Sequence, residues 1–180
     1  MLGAVGDGQL SLDDTLARWL PGVLPRLDES AITVRMQLDH TSGVPDADYW
    51  LLAMILERAT GQSYTEQIEA RLLRPLGLAH TVLPSNTTGL PRPYMHGYSL
   101  RPGKPPLDVS AFNSSWGSSS GGIVSTTGDL DRFAAALLGG RLLAPEELAA
   151  MKRGVRVPAS PMGVSVDRSI RKVVEAAFCG

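Results

Sequence analysis

Apolar residues recur at helical spacing along this chain in several short runs. From Tyr49 to Leu56 there is no charge, glycine or proline, and Leu51, Met54, Ile55 and Ala59 mark one helical face. Pro45 and Asp46 suit the start of that helix and Gly61 the position just past its end. The run is far shorter than the roughly 20 apolar residues that span a bilayer, so it predicts a buried helix in a globular core. Leu12, Leu16, Trp19 and Leu20 form a second stripe, opened by the capping signal Ser11-Leu12-Asp13-Asp14 and stopped by Pro21. Ile32 to His40 predicts a short helix capped by Thr33.

Ser63-Tyr64-Thr65-Glu66 is a capping box, after which Ile68, Leu72 and Leu73 are expected to face inward until Pro75 ends the helix. Leu130, Phe133, Ala134, Leu137 and Leu138 complete an i, i+3, i+4, i+7, i+8 stripe. Thr126 or Thr127 caps it, Asp129 sits in its first turn, and Gly139-Gly140 ends it. Pro145-Glu146-Glu147 opens a last helix through Met151. Elsewhere the pattern lapses. Met1 to Gln9 is an apolar segment broken up by glycines, and Pro84 to Pro106 reads as a long loop with little regular structure. Asn113 to Gly122 is a polar turn, Ile123-Val124-Ser125 a short strand, and Val166 to Gly180 a basic helical tail. With no internal repeat and no boundary, residues 1–180 read as a single domain.

Composition narrows the function. A net charge of −1, with the basic residues scattered among acids, argues against a nucleic-acid footprint. The single cysteine, Cys179, allows no internal disulfide. The three histidines, His40, His80 and His96, lack metal-ligand spacing, so neither metal nor cofactor is expected. No charged start leads into an apolar stretch, so no signal peptide is expected, and Val109–Gly128 is too rich in Ser and Gly to be a membrane span.

The chain also carries a family likeness. His40-Thr41-Ser42-Gly43, followed by Asp48-Tyr49, Leu51-Leu52 and Thr60-Gly61-Gln62-Ser63-Tyr64, resembles the serine β-lactamase and penicillin-binding-protein superfamily. Within it, the sequence is most similar to the branch of D-alanyl-D-alanine carboxypeptidases, class C β-lactamases and related esterases. Gly8 to Asp14 matches the segment that follows the nucleophile helix there, and the likeness runs in order over residues 8–165. It implies an α+β fold: a helix-dominated fragment of a serine β-lactamase/transpeptidase-like domain with an incomplete antiparallel sheet. It also implies acyl transfer in intact relatives, in which Ser attacks an amide or ester carbonyl, Lys and Tyr move protons, and backbone N–H groups hold the oxyanion. The loop Asn113-Ser114-Ser115-Trp116 matches one that borders the substrate cleft in the carboxypeptidases, so the likeness assigns substrate contact to Trp116 and, more weakly, to Ser115.

The same likeness predicts what is missing. Met1 falls within the region where the nucleophile helix belongs. The loop that delivers the family's catalytic Tyr is absent after Gly43, and the position matching that Tyr is Val44. The Lys-Thr-Gly or His-x-Gly strand is absent after Ser165. Of the three lysines, only Lys172 has a serine three residues before it, Ser169, at the wrong end of the chain and between basic neighbours. Gly117-Ser118-Ser119-Ser120-Gly121 satisfies the Gly-x-Ser-x-Gly elbow. It lacks an apolar strand before it, and every histidine precedes Ser119, so the relay order fails. His40 belongs to a turn that is mainly architectural in the family. The expectation is a truncated or degenerate serine-hydrolase relative with no catalytic residue of its own. The alternative is a non-catalytic binding module on the same scaffold. The ligand implied is a peptidoglycan-like peptide or a small ester or amide. Intact relatives are usually extracytoplasmic, whereas this chain's own compartment and oligomeric state are not legible in its residues.

Overall fold

Local capping chemistry starts several of the helices. The computed structural model describes residues 1–45, 47–83, 90–111, 113 and 117–153. Thr33 caps α3 (Val34–Leu38) by accepting from the Met36 N–H. Thr126 caps α8 (Thr127–Leu138) by accepting from the Asp129 N–H. The Ser63–Glu66 box forms in both directions and opens α5 (Tyr64–Ile68). Each bond satisfies an N–H that the first helical turn leaves without a partner.

The described chain divides into two compact units, Met1–Asp48 with Leu143–Gly180, and Tyr49–Leu142. In the first, α1 (Leu2–Gly6) packs against α9 (Pro145–Lys152). The glycine-broken start is thus helical. Ala4 is buried, and Gly6 lies where an added Cβ would come within 3.3 Å of the Glu147 carboxyl group. The predicted Ser11 cap forms, but over a turn: Ser11 N–H donates to Asp14 Oδ2 and Asp13 N–H to Ser11 Oγ. The helix itself, α2 (Leu16–Trp19), begins later under a Thr15 cap, because Thr15 is held extended by a bridge to Thr33. Leu10, Leu16, Leu20, Ile32 and Val34 form the apolar core here.

In the second unit, α4 (Asp48–Thr60) runs on from Asp48 and ends at Gly61, which adopts φ +69°, a conformation that costs glycine little. Leu51, Leu52, Ile55 and Leu56 are its buried face, and Met54, expected inside, is exposed. Pro75 does not end the next helix. A π-helical turn (Glu69–Leu73) follows α5 and carries the chain into α6 (Arg74–Leu76), which stops at Gly77 with φ +61°. Pro75 falls in the first turn of α6, where its missing N–H costs no bond. The long loop is partly ordered: β1 (Tyr98–Ser99) pairs antiparallel with β2 (Leu107–Asp108), Tyr98 opposite Asp108. Val82 and Val124 bridge as a single antiparallel pair in place of a strand at Ile123–Ser125. After α7 (Ser118–Gly121), α8 turns Asp129 and Ala136 inward, while Leu130 of the predicted stripe stays exposed. The cause is polar. The Asp129 carboxylate is pinned by the His80 N–H and the Thr81 hydroxyl, and this sets the rotation of the helix. Among the described residues the sheet has two strands and no helix is long and apolar enough to cross a membrane.

Candidate functional site

The first unit carries a polar constellation at the turn between α3 and α4. His40 leaves α3 with φ +54°, a left-handed conformation uncommon for a residue with a Cβ. Its Nδ1 lies 3.2 Å from Oδ2 of Asp48, and the Ser42 hydroxyl donates to Oδ1 of the same carboxylate at 2.5 Å. Ser42 Oγ in turn accepts from the Val44 N–H at 3.0 Å. Asp48 is fully buried, and burial raises its pKa above the usual aspartate value, against the lowering pull of Ser42 and His40. Both functions of the Ser42 hydroxyl are thereby engaged in the turn. This geometry holds a backbone turn and starts α4.

The second unit carries the serine-rich turn. Ser118 takes φ +38°, and its hydroxyl donates to the Tyr64 hydroxyl at 3.4 Å. Ser119 Oγ donates to the Tyr49 carbonyl at 2.7 Å. Ser120 Oγ donates to the Gly117 carbonyl and accepts from Trp50 Nε1. The three serines therefore tie α7 to the start of α4 and to α5. None of these contacts is to a base, so the Gly-x-Ser-x-Gly match is a turn and not a nucleophile elbow. Trp116 and Ser115, the predicted substrate contacts, lie outside the described residues, as do Ser169 and Lys172. Their neighbours Ser119 and Ser120 do sit against Tyr49 and Trp50, both of which are exposed.

A cluster that sequence reasoning missed lies on the β1–β2 ribbon. His96 Nδ1 is 2.9 Å from Asp108 Oδ2 and 3.2 Å from Ser110 Oγ. A serine relay needs the carboxylate on one ring nitrogen and the hydroxyl on the other. Here both share Nδ1, so the trio is not a relay. The Ser110 hydroxyl and N–H, then His96, hold Asp108 down at about 2. The signal was available in the alternation Tyr94, His96, Tyr98, which marks one face of an extended segment. Among the described residues, no group of His, Cys, Asp and Glu could hold a metal.

Comparison with known proteins places this geometry. Penicillin-binding protein 4* of Bacillus subtilis (strain 168) is 26% identical over 117 residues, covering 41% of this chain and 25% of that protein. The D-stereospecific amidohydrolase from Streptomyces sp. superposes with a TM-score of 0.80 at 28% identity, over 89% of this chain and 62% of that one. The D-amino acid amidase from Ochrobactrum anthropi SV3, in complex with L-phenylalanine amide, gives a TM-score of 0.72 at 26% identity, over 88% and 57%. The chain thus spans a quarter of the length of that curated relative and less than two thirds of either solved one. The architecture is the helix-dominated part of the serine β-lactamase/transpeptidase-like fold, with an incomplete antiparallel sheet. The family described as Beta-lactamase matches residues 1–165, and the chain belongs to that family.

Proposed function

We propose that residues 1–180, one β-lactamase-related domain, supply the helical scaffold of a serine hydrolase and do not by themselves perform its acyl transfer. The observation that supports this reading is the state of the hydroxyls at both polar turns. The hydroxyls of Ser42, Ser118, Ser119 and Ser120 are each engaged with carboxylate, tyrosine or backbone partners, and none of these bonds is to a histidine or lysine of the kind that activates a nucleophilic serine. Val44 cannot move a proton, and Lys104 and Lys152 have no serine one helical turn before them. Losing one member of a serine-hydrolase triad already costs several orders of magnitude in rate. The relatives named above are an amidohydrolase, an amidase and a penicillin-binding protein, which supports acyl transfer from an amide or ester as the reaction of an intact relative.

The test is intact-mass spectrometry after incubation of the 180-residue chain with a fluorescent penicillin, beside hydrolysis of a D-Ala-D-Ala peptide. No adduct and no cleavage are expected. A stable serine adduct overturns the proposal, and one that maps to Ser169 and vanishes in Lys172→Ala identifies the nucleophile pair. A second reading, a non-catalytic binding module, is favoured by the exposed Tyr49 and Trp50 beside the serine turn that follows Ser115 and Trp116. Saturable binding of a muropeptide without turnover, lost in Trp116→Ala, supports that module. Absence of binding removes it.

A further inference from the structure

The ribbon of the second unit exposes more aromatic surface than its fold requires. Tyr94, His96 and Tyr98 occupy alternate positions leading into β1, so they share a face. Successive ring centroids are 5.1 and 6.4 Å apart, with the last two rings stacked. His96 and Tyr98 are more than half exposed. An open cavity of ≈ 490 Å³ is lined by Arg92, Pro93, Tyr94 and His96. That size falls within the roughly 300–1,000 Å³ usual for small-ligand sites.

The charges around this face are sorted. Asp108 does not line the cavity. It sits behind the imidazole, with Oδ2 on His96 Nδ1 and Oδ1 accepting from the Ser110 N–H. The carboxylate therefore fixes the ring through Nδ1 and leaves Nε2 as the nitrogen available to a ligand. Arg92 forms no ion pair or hydrogen bond among the described residues. The cavity wall thus presents a guanidinium, an imidazole edge that donates when protonated, and a phenol ring, with no carboxylate facing in among the described residues. Guanidinium groups take carboxylates through two parallel hydrogen bonds, and aromatic rings take flat apolar groups.

We propose that this face binds small aryl carboxylates, the carboxylate on Arg92 and His96 Nε2 and the ring against Tyr94. The site is independent of the acyl-transfer reading, since none of its residues enters that argument. The groups around His96 are Asp108 and Ser110 across the ribbon, Tyr94 and Tyr98 along it, and Arg92 across the cavity.

The test uses the whole 180-residue chain and benzoate as probe, with the His96 ring protons followed by NMR. A saturable shift of the His96 ring protons is expected. Arg92→Gln should weaken benzoate about tenfold, and Tyr94→Ala by a smaller factor, as a lost charge-assisted bond and a lost ring contact predict. Both substitutions are on an exposed segment, and unchanged urea midpoints will show that the fold is kept. Acetate should bind more weakly than benzoate, and benzamidine more weakly still. Benzamidine binding as well as benzoate overturns the proposal, because Asp108 then dominates the charge. Acetate matching benzoate overturns the aryl assignment. Affinity within twofold of the parent in both Arg92→Gln and His96→Ala places the probe elsewhere and also overturns it.

Discussion

Two aspartates at helix starts, one in each unit, have nearly the same neighbours and opposite electrostatics. Asp48 opens α4, and Asp129 lies in the first turn of α8; both are almost inaccessible to solvent. Each has a hydroxyl partner and a histidine close by. At Asp48 the partners are the Ser42 hydroxyl and the His40 ring, and burial outweighs them, so its pKa is raised. At Asp129 the Thr81 hydroxyl at 2.7 Å outweighs burial, helped by the His80 N–H and the Arg132 guanidinium, so its pKa is lowered. The difference lies in the balance of burial and donors: burial is the largest influence on Asp48, and the Thr81 hydroxyl is the largest on Asp129. A backbone N–H and a permanent cation stabilise the ionised form without any change of their own protonation, and the Asp48 turn has neither among its named partners. One carboxylate is therefore a strong tie between distant segments, and the other is a marginal one that holds a local turn.

Substitutions can break this contrast. The largest loss should come from Asp129→Ala, which strips the tie from His80 and Thr81, 49 and 48 residues away in sequence. A clear drop in urea midpoint, exceeding that of any substitution at Asp48, is expected. A midpoint equal to that of Asp48→Asn would show that the two sites are energetically alike. Next, Asp48→Asn should cost only about 1 kcal/mol, the scale of one hydrogen bond, and should alter the pH profile. A folded pKa above the unfolded one means that the folded state holds its proton more tightly. That stability is fully present below the unfolded value near 3.8 and is lost as pH rises through the raised folded value. The parent should therefore lose stability across that window in denaturation curves taken at stepped pH, and the Asn variant should lose less.

Gln37 sharpens the comparison from the other side. It is fully buried in α3, and both polar atoms of its amide lack a hydrogen-bond partner among the described residues. An unpaired buried amide costs free energy that a carbon side chain does not, so Gln37→Met should raise stability by about 1 kcal/mol in the same urea assay. The smallest effect should be at Asp108, paired with His96 but exposed on the ribbon. Its lowered pKa, about 2, means that its contribution is present above the ordinary aspartate value and fades as pH falls toward 2. Asp108→Asn should leave the neutral-pH urea midpoint nearly unchanged while shifting the His96 ring resonances. A large destabilisation would show that solvent screens this pair far less than its exposure indicates.

What the sequence determined by itself was whatever the chain settles within one helical turn. The Thr33, Ser63 and Thr126 caps and the Gly61 stop involve partners at most three or four residues away, so residue types at fixed spacing are enough to reveal them. The family was legible for a related reason: His40 to Gly43 and Thr60 to Tyr64 are short contiguous runs that residue type and order alone reveal. Other features depend on partners that spacing does not encode. Leu130 belongs to the predicted stripe of α8, yet the helix is turned by the bonds that Asp129 makes to the 80–81 segment, and Leu130 is left outside. The helix over Leu2–Gly6 is stabilised by α9, at the far end of the described chain, and local glycine content argued against it. His96 meets Asp108 only because Gly103 reverses the chain between them with φ +70°, closing a ribbon inside what reads as structureless loop. In each case a polar or apolar contact between distant residues overrides a weaker local preference, and only the tertiary structure decides which distant residues meet.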